Sequence, residues 1–150
     1  MILDNSERIK HIKRLFYMIS VLLVASFAAL MFMDQVGRAL LAAGILVVWF
    51  LVFQAIDFQY IYFSTDDDKI ILRFYPAVKF GRKEYQTIEF PSNLLHDYTI
   101  EKSVFGMVED LVLLVRTKRG VAEYPSVSMA ALSQSDRQKI KRSLQELLHR

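Results

Sequence analysis

From Leu15 to Phe58 the chain is almost entirely apolar, broken once by Asp34-Gln35-Val36-Gly37-Arg38. The first half ends at Met33, and the second runs from Ala39 to Gln54 and Ala55. A helix needs roughly 20 apolar residues to cross a hydrocarbon layer ~30 Å thick. Each half meets that length. In lipid the backbone has no water to bond, so each half is expected to be helical. Neither half has the polar face of a soluble surface helix. A secretory signal has a shorter apolar core, a small-residue cleavage site and no second span behind it. Residues 15–57 are therefore expected to form a transmembrane helical hairpin with a tight turn.

The rest of the sequence leaves room for one modest domain, residues 58–150, and a short N-terminal segment, residues 1–14. A hydrophobic content of 53% fits a partly embedded chain better than an average soluble domain. The net charge of +3 is too weak alone to imply nucleic acid, and a membrane surface accounts for it equally well. The chain has no cysteine, which excludes disulfides, thiolate metal sites and thiol catalysis.

Arg8, Lys10, Lys13 and Arg14 precede the first span, and Lys69, Arg73, Lys79, Arg82 and Lys83 follow the second. The turn between the spans has one base, Arg38. Basic residues near span ends mark the cytoplasmic side. Both termini are thus expected in the cytoplasm, with the protein in the inner (cytoplasmic) membrane of a cell. Ala25 and Ala29 are four apart, as are Ala39 and Ala43, a spacing that lets two helix backbones approach closely. Those four residues are the expected packing positions of the hairpin. No unpaired charge sits within a span, so an ion or proton pathway has no support. Trp49 lies mid-span, where packing against a helix or lipid tails is expected.

At Phe58 the pattern turns to alternation. Six strands are expected: Phe58 to Phe63, Lys69 to Tyr75, Lys83 to Phe90, His96 to Ser103, Glu109 to Thr117, and Val121 to Tyr124. Ser64 to Asp68, Pro76 to Arg82, Pro91-Ser92-Asn93, Phe105-Gly106-Met107 and Lys118-Arg119-Gly120 separate them. Near the end, Ser133 followed by Asp136 reads as a helix N-cap with an acid in the first turn. Ile140, Leu144, Leu147 and Leu148 then form one apolar stripe, suited to covering the sheet.

No residue pattern supports catalysis. His11, His96 and His149 form no metal pair at helical or strand spacing. Neighbours in a strand point to opposite faces, so His96-Asp97 makes no dyad. Gly81, Gly106 and Gly120 are isolated turn residues, not a phosphate loop. Asp66-Asp67-Asp68 lacks the further spaced oxygens that calcium requires. The expectation is a non-enzyme with no cofactor, no nucleic-acid partner and no small-molecule substrate.

Three stretches carry a family resemblance: Ile70-Ile71-Leu72-Arg73-Phe74-Tyr75-Pro76, Gln86-Thr87-Ile88-Glu89-Phe90-Pro91, and Ser126-Val127-Ser128 before the final helix. Placed after a two-span hairpin, they resemble the bacterial pleckstrin-homology-like (PH-like) membrane proteins. The resemblance implies an α+β membrane protein with a strongly bent antiparallel sheet of seven strands, capped by a C-terminal helix. Eukaryotic members of the wider fold often bind phosphoinositides through basic residues at the first hairpin loop. Here that loop is Asp66-Asp67-Asp68, which repels phosphate, so that activity is not carried over.

The expected role is a membrane-anchored scaffold that presents a cytoplasmic domain to a membrane-protein partner or to another copy of itself. The alternative is an accessory domain sensing anionic lipid. If strands alternate in direction, every second turn returns to the membrane side. Lys79, Phe80, Arg82, Lys83, Phe105 and Met107 are then the expected contacts with membrane lipids or a partner.

Overall fold

The computed structural model describes residues 1–78 and 85–149. Lys79, Phe80, Arg82 and Lys83 lie outside the described residues.

Two long helices pack side by side, α1 (Ser6–Phe32) and α2 (Val36–Ile56). Both are long and apolar enough to cross a membrane. The reversal between them is shorter than the polar pentapeptide. Met33 caps α1 through its N–H to Ala29 O at 3.0 Å, and Asp34 takes the left-handed conformation. Val36-Gly37-Arg38 already forms the first turn of α2, with Arg38 bonded to Gln35 Oε1 at 2.8 Å.

The seam on α1 runs through Phe16, Ile19, Ser20, Leu23, Ser26, Phe27 and Leu30, all at least half-buried. On α2 it runs through Ala39, Ala42, Ala43, Leu46, Trp49, Phe50 and Phe53. The steps of three and four are those of knobs-into-holes packing. Ala39 is completely buried and Ala43 half-buried, whereas Ala25 and Ala29 are exposed. The expected meeting of small residues is therefore absent on the α1 side. An aromatic cluster sets the rotation of α1 instead. Phe16 lies 4.3 Å from Phe53, 5.3 Å from Phe50 and 6.1 Å from Trp49, ring centre to ring centre. Aromatic rings bury far more area than alanines do, so the face carrying Phe16 turns inward. Trp49 Nε1 donates to Ser20 Oγ at 3.3 Å, which satisfies the indole N–H inside the pair.

The sheet part holds two antiparallel sheets. The first is β1 (Ile2–Asp4), β2 (Gln59–Ser64), β3 (Lys69–Pro76) and β4 (Gln86–Pro91), adjacent in that order. The second is β5 (Leu95–Ser103), β6 (Val108–Thr117) and β7 (Gly120–Glu123), with β8 (Val127–Ser128) also on β6. The six strands read from the sequence are present with small shifts at their ends. Two were missed, β1 and β8. Residues 1–14 are thus not a separate segment: β1 joins the sheet beside β2, and Ser6 onward is continuous helix.

Alternation points Ile61 and Phe63, Ile70, Leu72 and Phe74, and Ile88 and Phe90 into one core with Leu111, Leu113 and Val115 of β6. Leu3 of β1 and Val127 of β8 complete it from the short strands. The final helix, α3 (Gln134–Leu148), closes the core with Ile140 and Leu144, while Leu147 and Leu148 pack at its margin. Ser133 caps α3, its Oγ accepting from Asp136 N at 3.1 Å.

Candidate functional site

Polar or exposed apolar side chains gather at the junction of hairpin and sheets, at the turn between β5 and β6, and in a cleft on the far side.

The junction is a buried polar knot. Asn5 does not cap α1 with its side chain. Instead its Oδ1 accepts from Ile61 N at 2.8 Å and its Nδ2 donates to Gln59 O at 3.1 Å. The amide thus extends the β1–β2 ladder by one step. Gln59 is the hub. Its Oε1 accepts from Ser128 N at 3.1 Å, and its Nε2 donates to Asp57 Oδ2 at 2.5 Å. Ser128 Oγ in turn donates to Ile56 O at 3.4 Å, one of the carbonyls left open where α2 ends. Four elements, β1, α2, β2 and β8, are tied by groups that would cost free energy if buried unpaired. Asp57 ends α2 in the left-handed conformation, φ 51°. Burial raises its carboxyl pKa, the bond from Gln59 opposes the shift, and the charge of Asp110 adds to it.

α1 has 27 residues and α2 has 21. At 1.5 Å per residue the excess is about 9 Å of helix, which runs beside the sheets. There Ile9 packs with Ala77 and Ala131, flanked by Ile12, Phe58 and Tyr60. Outside this contact, Tyr60 and Tyr75 stack at 4.7 Å, and Lys13 Nζ sits 5.6 Å from the Tyr75 ring centre. Burial first, then the Asp4 carboxylate, pushes the Tyr60 hydroxyl up to about 12. A groove on the free side of α1 is lined by Arg8, His11, Ile12, Arg14, Leu15 and Met18.

Phe105 and Met107 lie in the β5–β6 turn, Phe105 fully exposed and Met107 largely so. They are close in the chain to Glu109 and Asp110, which lie beside the junction. The turn Asp66-Asp67-Asp68 lies at the other end of β2, away from α2. Asp67 and Asp68 have positive φ, a conformation aspartate tolerates better than most residues. Among the described residues no group of His, Asp and Glu is placed to hold a metal ion.

The far-side cleft, about 640 Å³, is bounded by Asp68, Pro91, Ser92, Asn93, Leu95, His96, Arg116, Leu147 and Leu148. It opens between the end of α3 and the start of β5. Arg116 Nε donates to His96 Nδ1 at 3.2 Å, and His96 sits at a register shift in the β5–β6 ladder. The edge of β5 away from β6 pairs with no strand among the described residues. No local pattern announces this cleft, because its residues come from four separated stretches.

No known family, curated protein or solved structure matches the chain.

Proposed function

We propose that the chain is a membrane-anchored, non-catalytic interaction module of the PH-like type. In this reading α1 and α2 span the inner membrane, both termini are cytoplasmic, and the sheets present a binding surface to a protein partner within a membrane complex. Support for the anchor comes from the helices. Val21, Leu22, Leu40, Leu41, Val47, Val48 and Leu51 are all exposed over half of their surface. A soluble monomer rarely exposes apolar patches beyond a few hundred Å². Because β1 and β2 are paired, the two helix ends that join the sheets lie on one side of the membrane in this reading.

The observation that carries the partner reading is the far-side cleft. It faces away from the spans, mixes Leu95, Leu147 and Leu148 with His96 and Arg116, and flanks the open edge of β5. An extended segment can add to such an edge while placing side chains in the neighbouring cleft. The test is photo-crosslinking in cells from position 116, with position 118 as a control. A discrete adduct from position 116, lost in Leu148→Asp, supports the reading. Equal adducts from both positions would count against it.

A second reading, sensing of anionic lipid, has one observation in its favour. Arg8 and Arg14 have no ion-pair partner among the described residues, and they line a groove that continues into Leu15 and Met18. A headgroup could meet the arginines while a tail follows the apolar side chains. Native mass spectrometry of the full chain should then show retained anionic lipid, lost in the Arg8→Gln, Arg14→Gln double variant.

A further inference from the structure

The β5–β6 turn reads Ser103-Val104-Phe105-Gly106-Met107-Val108, six uncharged residues between Lys102 and Glu109. Phe105 is 102% exposed and Met107 72%. The turn is nonetheless well defined, with Gly106 N to Ser103 O at 3.1 Å and Met107 N to Val104 O at 3.2 Å. Val104 and Phe105 have φ of 49° and 57°. Left-handed turn positions favour Gly, Asn or Asp, and a β-branched residue there is strained. A turn made only to reverse the chain in water has no need of Val, Phe and Met at these positions.

The position of the turn points to its surroundings. β6 starts beside the end of α2: β8 pairs with Asp110 and Leu111, Met129 N bonds Glu109 O at 2.9 Å, and Ser128 Oγ bonds Ile56 O. The other end of β6 carries Arg116, which lines the far-side cleft with Asp68. The strand therefore runs from the helix end of the molecule outward. The turn lies beyond its helix-end start, on the side opposite the cleft. Phe105 is five residues before Asp110, a reach of about 16 Å of extended chain.

We propose that the β5–β6 turn is an apolar wedge that inserts Phe105 and Met107 into the leaflet beside the spans, with Lys102 at headgroup level. The proposal rests on the reading that α1 and α2 cross the membrane. The occupant is lipid and not protein because the wedge presents only two large side chains. A specific protein interface needs about 800 Å² from each partner, several times what one such tip supplies. The flanking charges and the uncharged centre match a boundary between headgroups and hydrocarbon. With the wedge inserted, the sheets are held to the membrane at two points, the hairpin and the turn, and their tilt is fixed.

The chain lacks cysteine, so single spin labels can be placed on the full-length protein in nanodiscs of zwitterionic and anionic phospholipid, one copy per disc. The positions are Met107, Val47 in α2 and Asp67 at the far turn. The label at Met107 should match Val47, reached by oxygen and shielded from a water-soluble nickel chelate, and Asp67 should show the reverse. In a Phe105→Ser background the Met107 label should lose its shielding. If Met107 matches Asp67 while Val47 stays lipid-like, the wedge is overturned and the spans stand. If Val47 itself is open to nickel, the membrane reading falls and the wedge with it. Shielding of Met107 from both reagents would mean burial in protein and would also overturn the proposal.

Discussion

Gln59 concentrates more structural consequence than any other polar residue described. Its side chain and carbonyl together meet Asn5, Asp57 and Ser128. Asn5→Ala would leave Ile61 N–H and Gln59 C=O without these partners. Buried groups left unpaired cost about 1–3 kcal/mol each, so the variant should unfold at lower temperature in detergent. Leu at position 5 should fare no better, since shape is not what Asn5 supplies.

Asp57 offers a pH test. Its folded pKa is raised, chiefly by burial. The folded state therefore holds this proton more tightly than the unfolded one, and its contribution weakens as pH rises from the ordinary value of 3.8 through the raised one. Asn suits the left-handed conformation and carries no charge. Asp57→Asn should accordingly flatten the pH dependence of stability in that window. An unchanged profile of melting temperature against pH would refute the assignment.

Among the elements, β1 is the least expected. Leu3 is 8% exposed and belongs to the core, while its neighbour Ile2 is 62% exposed. Leu3→Ala should destabilise by about 2–5 kcal/mol, as buried Leu truncations do, and Ile2→Ala should be nearly silent. Matching melting temperatures for the two variants would show that β1 does not pack. α3 makes a parallel case. Leu144 is fully buried, and Leu144→Asp would place a carboxylate in the core or expel the helix. The suitable control is exposed Gln145→Asp, not a change at Lys141. Lys141 Nζ is 2.9 Å from Glu109 Oε2, with both side chains mostly covered, so reversing its charge would set two carboxylates together.

At the scale of the molecule, the hairpin and the sheets form one body through β1, the Gln59 knot and the Ile9 contact. Motion of α1 relative to α2 would therefore reach the sheets directly. The proposed topology has a direct check. Single cysteines at Gln35 and Ser135 should react differently with an impermeant thiol reagent on intact cells, the first labelled and the second protected. Labelling at position 135 would reverse the orientation or place the sheets outside.

Elements whose signal is local could be read directly from the chain. Two runs of apolar residues dictate two long helices, and alternation dictates the longer strands. Ser133, Asp136 and the stripe from Ile140 to Leu148 dictate the closing helix. Each depends only on neighbours within a turn or a few residues. Tertiary structure decided what depends on distant partners. β1 has three residues and β8 two, too short for a period to register, and β1 pairs with a strand some 60 positions away. The face of α1 that turns inward was decided by Phe16 meeting Trp49, Phe50 and Phe53, not by the spacing of Ala25 and Ala29. Gln59 and Asn5 read as ordinary polar residues until the fold buries them together. The far-side cleft exists only where Asp68, Pro91, Leu95, Arg116 and Leu148 converge, and no stretch of chain contains that pattern.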